Sequence, residues 1–208
     1  LLLANRTTLM AGISHDLRTP LTRMRLALAL LPSSVDAKLI TRFETNLEAM
    51  DELIRDALHF AKGTGELAQE IAVVEFVKGI VATYDQAITV SSDLANSASA
   101  VVAPNAFARV LTNLVSNGIN HGGQVSLHIG AGEIAVSDNG PGIAKESRTE
   151  IFQPFFRLET SRSVTTGGSG LGLAIVQQLC QAHGWQIAVD DAATGGAKFT
   201  LKYTWPAT

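Results

Sequence analysis

Apolar residues recur along the start of the chain at helical spacing. Leu3, Met10, Leu17, Met24 and Leu31 stand seven apart, with Ile13, Leu21 and Leu28 beside them. Such a repeat is the seam of a coiled coil or helical bundle. The run Leu31-Pro32-Ser33-Ser34 breaks it, since proline cannot continue a helix. Asp36 is placed to cap a second helix. That helix carries Leu39, Phe43, Leu47, Met50, Leu53, Ile54, Ala57 and Phe60 along one side and fades at Gly63-Thr64-Gly65. A short connection makes the two helices antiparallel neighbours, and a lone hairpin covers its apolar stripe on one side only. Pairing two hairpins into a homodimeric four-helix bundle covers the other.

The pattern changes character from about Ile71. Short β-like runs are predicted at Ala100 to Ala103, Gln124 to Ile129, Glu133 to Ser137, Gln186 to Val189 and Ala197 to Tyr203. Helical patterns lie between them at Val74 to Asp85, Pro104 to Asn120 and Gly170 to His183. Ala131-Gly132 reads as a hairpin turn. Strands and helices mixed in this order predict an α+β sandwich, one sheet with helices on one face. The expected division is a helical hairpin over residues 1–63 and a second domain over residues 68–208.

Composition narrows the classes. The 208 residues suffice for one large domain or two small ones, and 46% hydrophobic content argues against disorder. A net charge of -3 without a long basic run gives no footprint for nucleic acid or anionic membrane. The single cysteine, Cys180, excludes an internal disulfide and reads as a core residue of an apolar helix. No stretch reaches the roughly 20 apolar residues needed to span a bilayer. Leu1 to Leu3 is too short for a signal peptide's apolar region. The chain opens inside a helix and without Met, so a longer parent protein is expected.

Chemistry is suggested first by Ser14-His15-Asp16-Leu17-Arg18-Thr19-Pro20. With the seam at Met10 and Leu17, His15 falls on the opposite side of the helix, facing solvent or a partner. Imidazole, with an ordinary pKa of about 6.5, is largely neutral and nucleophilic at neutral pH. Asp16 beside it can fix the tautomer and take up a proton, and Thr19 lies one turn on. Pro20 cannot donate to the carbonyl of Asp16, so a bend is expected just after this turn. A lone His-Asp on a surface helix is usually no more than a solvated pair.

Separated clusters further on change that balance. Asn113 and Asn117 share a helix face within Asn113-Leu114-Val115-Ser116-Asn117, and an amide oxygen is a hard ligand suited to Mg²⁺. Asp138-Asn139-Gly140-Pro141-Gly142-Ile143 follows a strand, where a carboxylate can accept from an exocyclic amine such as that of adenine. In Phe152-Gln153-Pro154-Phe155-Phe156-Arg157 the aromatics would anchor one end of a loop and Arg157 would reach phosphate. Arg162, in the polar stretch that follows, is a second possible phosphate contact. Gly167-Gly168-Ser169-Gly170-Leu171-Gly172-Leu173 opens a helix, offering backbone N–H groups to an anion. Each cluster alone is weak; all of them in this order are a strong joint signal.

The ordered set resembles the sensor histidine kinases of two-component signalling across almost the whole chain. Ser14 to Pro20 is similar to their H box, Asn113 to His121 to the N box, Asp138 to Gly142 to G1, Phe152 to Arg157 to F, and Gly168 to Leu173 to G2. Leu9 to Leu30 resembles the EnvZ-like branch in particular. The resemblance implies a dimeric four-helix bundle followed by a Bergerat-type α/β sandwich that binds ATP with Mg²⁺. It implies that His15 is the phosphoacceptor, Asp16 its base, and Thr19 an aid to dephosphorylating the partner. Asn117 would hold the metal and Asp138 would read adenine. Asn113, Asn120, His121, Gly140, Gly142, Ile143, Phe152, Arg157, Arg162, Gly168, Gly170, Leu171, Gly172 and Leu173 would form the rest of the nucleotide site. The implied partner is a response-regulator receiver domain, of OmpR-like type, and the implied setting is the cytoplasmic portion of a bacterial inner-membrane protein. One departure is Asn120-His121, where the N box usually carries Lys-Tyr; Arg157 or Arg162 is expected to compensate.

Two other readings stand beside this one. An ATPase or chaperone of the same nucleotide fold would carry a glutamate base one turn before the metal asparagine, but Asn113 stands there and an amide cannot take a proton from water. A dimerisation scaffold with a degenerate pocket would not need intact metal, adenine and glycine positions.

Overall fold

A computed structural model describes residues 20–30, 36, 38–41, 43–44, 46–47, 50–51, 54, 66–157, 170–193 and 195–205. Residues 20–29 form helix α1, and the described residues between 38 and 54 are all helical and form α2. Asp36 caps α2 as expected. Its Oδ1 accepts from Lys38 N–H at 2.9 Å, and its carbonyl accepts from Leu39 and Ile40. Leu21 and Leu47 are buried, whereas Met24, Leu39, Phe43 and Met50 stay close to half exposed. The expected helix break at Pro32 to Ser34 and the fading at Gly63 to Gly65 lie outside the described residues.

Beyond Glu66 the chain runs β1 (Gln69–Ala72), α3 (Val73–Val81), β2 (Thr89–Ser92), β3 (Ser99–Val102), α4 (Pro104–Gly122), β4 (Val125–Gly130), β5 (Glu133–Asp138), two 3-10 turns (Lys145–Ser147 and Glu150–Phe152), α5 (Gly172–His183), β6 (Gln186–Asp191) and β7 (Ala197–Lys202). Strands β1 and β3 form an antiparallel ribbon. The main sheet has the order β2-β4-β5-β7-β6, antiparallel except for the parallel edge pair β2-β4.

Alternation decides which face of the sheet is covered. Val125, Leu127 and Ile129 of β4, Ile134 and Val136 of β5, and Phe199 and Leu201 of β7 form one apolar row through the registers Leu127↔Val136 and Val136↔Phe199. The opposite row, with Ser126, His128, Ser137, Lys198 and Thr200, is largely polar and faces water. Helix α4 lays Phe107, Val110, Leu111, Leu114 and Val115 on the covered face. Phe107 meets Trp185 and Tyr203 edge-on at 5.4 and 5.0 Å, closing that end of the core. Helices on one face of a mixed sheet are the α+β sandwich that the pattern predicted.

The corrections are local. Strands β1 and β2 were not predicted; Gln-Glu-Ile-Ala and Thr-Val-Ser-Ser carry little apolar signal because each strand is an edge. Helix α3 ends at Val81 rather than Asp85, because Thr83 turns back and donates to the Ile80 carbonyl from both N–H and hydroxyl. Helix α5 starts at Gly172 rather than Gly170, which holds a left-handed φ of 69°. Cys180 is core, as expected, and burial pushes its thiol up to about 12, so it is chemically quiet.

Candidate nucleotide site

Asp138 ends β5 on the apolar row of the sheet, opposite Val125, and is the one buried charged residue among the described residues. Burying a carboxylate is costly unless donors meet it. Two backbone groups do so at one oxygen: Oδ1 accepts from Gly140 N–H at 2.8 Å and from Ala197 N–H at 3.2 Å. No described residue donates to Oδ2, so that oxygen can accept from a ligand.

Glycines make this approach possible. A Cβ on Gly122, in the last turn of α4, would stand 2.7 Å from Asp138 Oδ1; one on Gly196 would stand 2.2 Å from the Asp138 carbonyl oxygen. A Cβ on Gly140 would meet the His121 carbonyl oxygen at 2.7 Å. Sequence reasoning picked out Gly140 and Gly142 but missed Gly122 and Gly196. The available signal for Gly122 was its place one turn after Gly118, where a Cβ would crowd Val125 at 2.9 Å. Two small residues spaced like this let α4 sit close on the sheet.

The separated clusters converge. Asn113 Nδ2 donates to the Arg109 carbonyl at 2.9 Å, and its Oδ1 faces Gly172, where a Cβ would come within 2.9 Å. This sets the polar face of α4 against the start of α5, where Leu171 at the N-cap has no side chain that can accept. The N–H groups of a first helical turn and its positive dipole end suit phosphate. His121, at the end of α4, has its pKa held below the usual imidazole value, chiefly by loss of surrounding water and then by the positive charge of Arg157; the Asp138 carboxylate acts the other way. His121 is therefore electrostatically linked to both Arg157 and Asp138. Phe155 N–H donates to the Gly170 carbonyl at 2.9 Å, tying the aromatic cluster to the glycine run.

The remaining predicted residues take simpler places. Phe152 packs edge-on to Phe199 and Leu171 is buried, so both anchor the walls. Ile143 and Leu173 are half-buried, Asn117 is half-buried on α4, and Asn120 is exposed. Asn139 caps the β4 entry by accepting from Gln124 N–H at 3.0 Å. A cleft of about 490 Å³ opens between residues 141–144 and the β6–β7 turn, lined there by Asp191, Ala192, Gly195 and Gly196; Asp138 is not part of its lining. His15, Asp16, Thr19, Arg162 and Gly168 lie outside the described residues.

Comparison with known proteins gives a consistent picture. Residues 102–207 match the family described as histidine kinase-, DNA gyrase B-, and HSP90-like ATPase, and residues 5–66 match the His Kinase A (phospho-acceptor) domain. The sensor histidine kinase CpxA of Escherichia coli strain K12 is 30% identical over 216 residues, covering 96% of this chain and 47% of the relative. The sensor protein RstB of the same strain is 33% identical over 223 residues, covering 99% of this chain and 50% of the relative. The chain thus spans about half the length of the curated relatives it matches. Among solved structures, full-length ShkA in complex with AMPPNP aligns with a TM-score of 0.75 at 23% identity, covering 98% of this chain and 47% of that one. That likeness speaks for the fold.

Proposed function

Since the chain belongs to the sensor histidine kinases of two-component signalling, with both their phospho-acceptor and their ATPase domain, we propose that it phosphorylates His15 from Mg-ATP and passes the phosphoryl group to an aspartate of a response regulator. The observation that carries this reading is Asp138: a buried carboxylate with Oδ1 fixed by two backbone donors and Oδ2 left to accept, in a cradle of glycines where any Cβ would collide. Such an acceptor suits the exocyclic amine of adenine.

The other roles follow from chemistry. The first turn of α5 and Arg157 offer donors and positive charge to the phosphates, with Arg162 as a further contact. The half-buried amide of Asn117 is a hard oxygen donor that fits Mg²⁺ shared with phosphate oxygens, and bound Mg²⁺ would supply charge neutralisation. An imidazole nitrogen of His15 attacks the γ-phosphorus in line; the bond to the ADP oxygen breaks, a P–N bond forms, and Asp16 takes the imidazole proton. Transfer then breaks that P–N bond as the partner's carboxylate oxygen attacks phosphorus. Positioning and electrostatics supply most of such catalysis. Thr19 serves the reverse duty, dephosphorylation of the partner.

We further assign residues 1–63 to a phosphotransfer hairpin that dimerises as a four-helix bundle and residues 68–208 to the ATP domain. The receiver partner is of OmpR-like type, and the chain is the cytoplasmic part of an inner-membrane sensor. A hydrolase reading is disfavoured by Asn113, whose side chain is committed to the Arg109 carbonyl and cannot act as a base.

The test is incubation with γ-labelled Mg-ATP, wild type beside His15→Ala. Acid-labile, alkali-stable label that disappears in the variant is expected. Label persisting in His15→Ala would overturn the acceptor assignment, and ATP turnover without label in the wild type would favour a hydrolase.

A further inference from the structure

Two loops meet around Asp138, and one side chain ties them together. Arg148 follows the first 3-10 turn. Its Nε donates to the Ile143 carbonyl at 3.2 Å, its Nη2 pairs with Asp191 Oδ1 at 2.5 Å, and its Nη1 lies 3.8 Å from Asp190 Oδ1. The guanidinium side chain is only 18% exposed, although the aspartates are 68% and 69% exposed. One planar fork therefore grips the backbone of the loop after β5 and the end of β6, from which the β6–β7 turn departs. The first loop supplies Gly140 N–H and the second leads to Ala197 N–H, the two donors on Asp138 Oδ1. The loops also touch directly, since a Cβ on Gly142 would sit 3.3 Å from the Gly196 carbonyl oxygen. A surface ion pair alone adds little stability. A bridge between two loops does something else: it limits where both donors can stand.

We propose that Arg148 is a positioning residue for base selection, its bridge from Ile143 to Asp190 and Asp191 holding the Asp138 carboxylate at the angle that favours adenine over guanine. This rests on the reading of Asp138 as the adenine acceptor. Adenine presents an amine donor at the edge where guanine presents a carbonyl oxygen. A fixed carboxylate accepts from the first and repels the second. A loosened one loses the distinction while phosphate contacts at α5 remain. Lysine cannot replace the fork, because a point charge does not serve the carbonyl and both carboxylates together.

Calorimetric titration of the full chain with Mg-ADP and Mg-GDP tests this, since the two ligands share their phosphates. In Arg148→Ala and Arg148→Lys, ADP affinity is expected to fall about tenfold while GDP affinity changes by less than about twofold, so the selectivity ratio collapses. Asp190→Asn with Asp191→Asn should give a smaller change in the same direction, and these variants with Arg148→Lys carry the test if Arg148→Ala does not fold. An unchanged ratio, or ADP and GDP affinities falling together, overturns the proposal. Asp138→Asn separates the two levels. If it abolishes ADP binding while the Arg148 variants bind like wild type, only the Arg148 role falls. If it leaves ADP binding intact, the adenine reading falls and the Arg148 role with it.

Discussion

At the scale of single residues, Gly195 and Gly196 form an instructive pair. Both hold left-handed φ angles, 83° and 84°, but a Cβ on Gly195 meets nothing within 4 Å while one on Gly196 would strike the Asp138 carbonyl oxygen at 2.2 Å. Strain from the left-handed backbone is about 1 kcal/mol for either alanine. Only Gly196→Ala must also push Asp138 out of place. Gly196→Ala is therefore expected to weaken ATP binding at least about tenfold, whereas Gly195→Ala costs only about 2–4 °C of thermal midpoint, the size of its strain. Titration and thermal unfolding of both variants check this, and equal nucleotide affinities would show that the cradle is not needed. The sequence makes clear that a Gly-Gly turn joins two strands. It carries no sign of which glycine lies under Asp138, because that depends on a pairing of β5 with β7 across distant positions. Asp138 itself was legible, since a carboxylate at a strand end followed by Gly-Pro-Gly is a local pattern.

At the scale of elements, α4 shows where local reading stops. Its start was readable from Pro104 at the first helical position, and its amphipathic stripe from the 3.6-residue period. Its cap was not. Ala103 at the N-cap has no side chain that can accept, and the cap comes from Glu66, 39 positions upstream of Asn105. Glu66 Oε1 accepts from Asn105 N–H at 3.0 Å and from Asn105 Nδ2 at 2.8 Å, and Oε2 accepts from Ala106 N–H at 2.9 Å. Burial alone would raise the Glu66 pKa, but these donors outweigh it and hold the carboxyl below its ordinary 4.5. A carboxyl lowered on folding stabilises above its unfolded pKa, and the benefit is lost as pH falls through the folded value. Glu66→Gln should thus cost about 1 kcal/mol at neutral pH, the usual worth of a cap. The gap from wild type should close in unfolding curves taken progressively below pH 4.5. A gap independent of pH would mean that charge is not what holds the cap. The placement matters for the proposed nucleotide site because α4 carries Asn113 and Asn117, and Glu66 lies where the phospho-acceptor match ends.

At the scale of the whole molecule, the order of the motifs was legible because each is local, while β1 and β2 were not, because an edge strand needs little apolar content of its own. The same logic works in reverse on α1 and α2, whose described residues leave apolar surface open. Leu39, Phe43 and Met50 stand at helical spacing along one face of α2, exposed by 48%, 51% and 46%, while Leu47 beside them is buried. On α1, Met24 is 42% exposed although Leu21 is buried. A stripe partly buried and partly open is what a second hairpin would close. In such a bundle Phe43 would be an aromatic anchor, and loss of an anchor of this kind typically costs 2 kcal/mol or more. Phe43→Asp adds the burden of burying a charge without a partner. The variant should weaken dimerisation by about 30-fold or more in sedimentation velocity, while ADP titration stays as in wild type because the nucleotide site lies on other elements. Dimerisation unaffected by Phe43→Asp would mean that the open stripe serves another contact. Parallel loss of dimer and nucleotide binding would mean that the site itself depends on pairing.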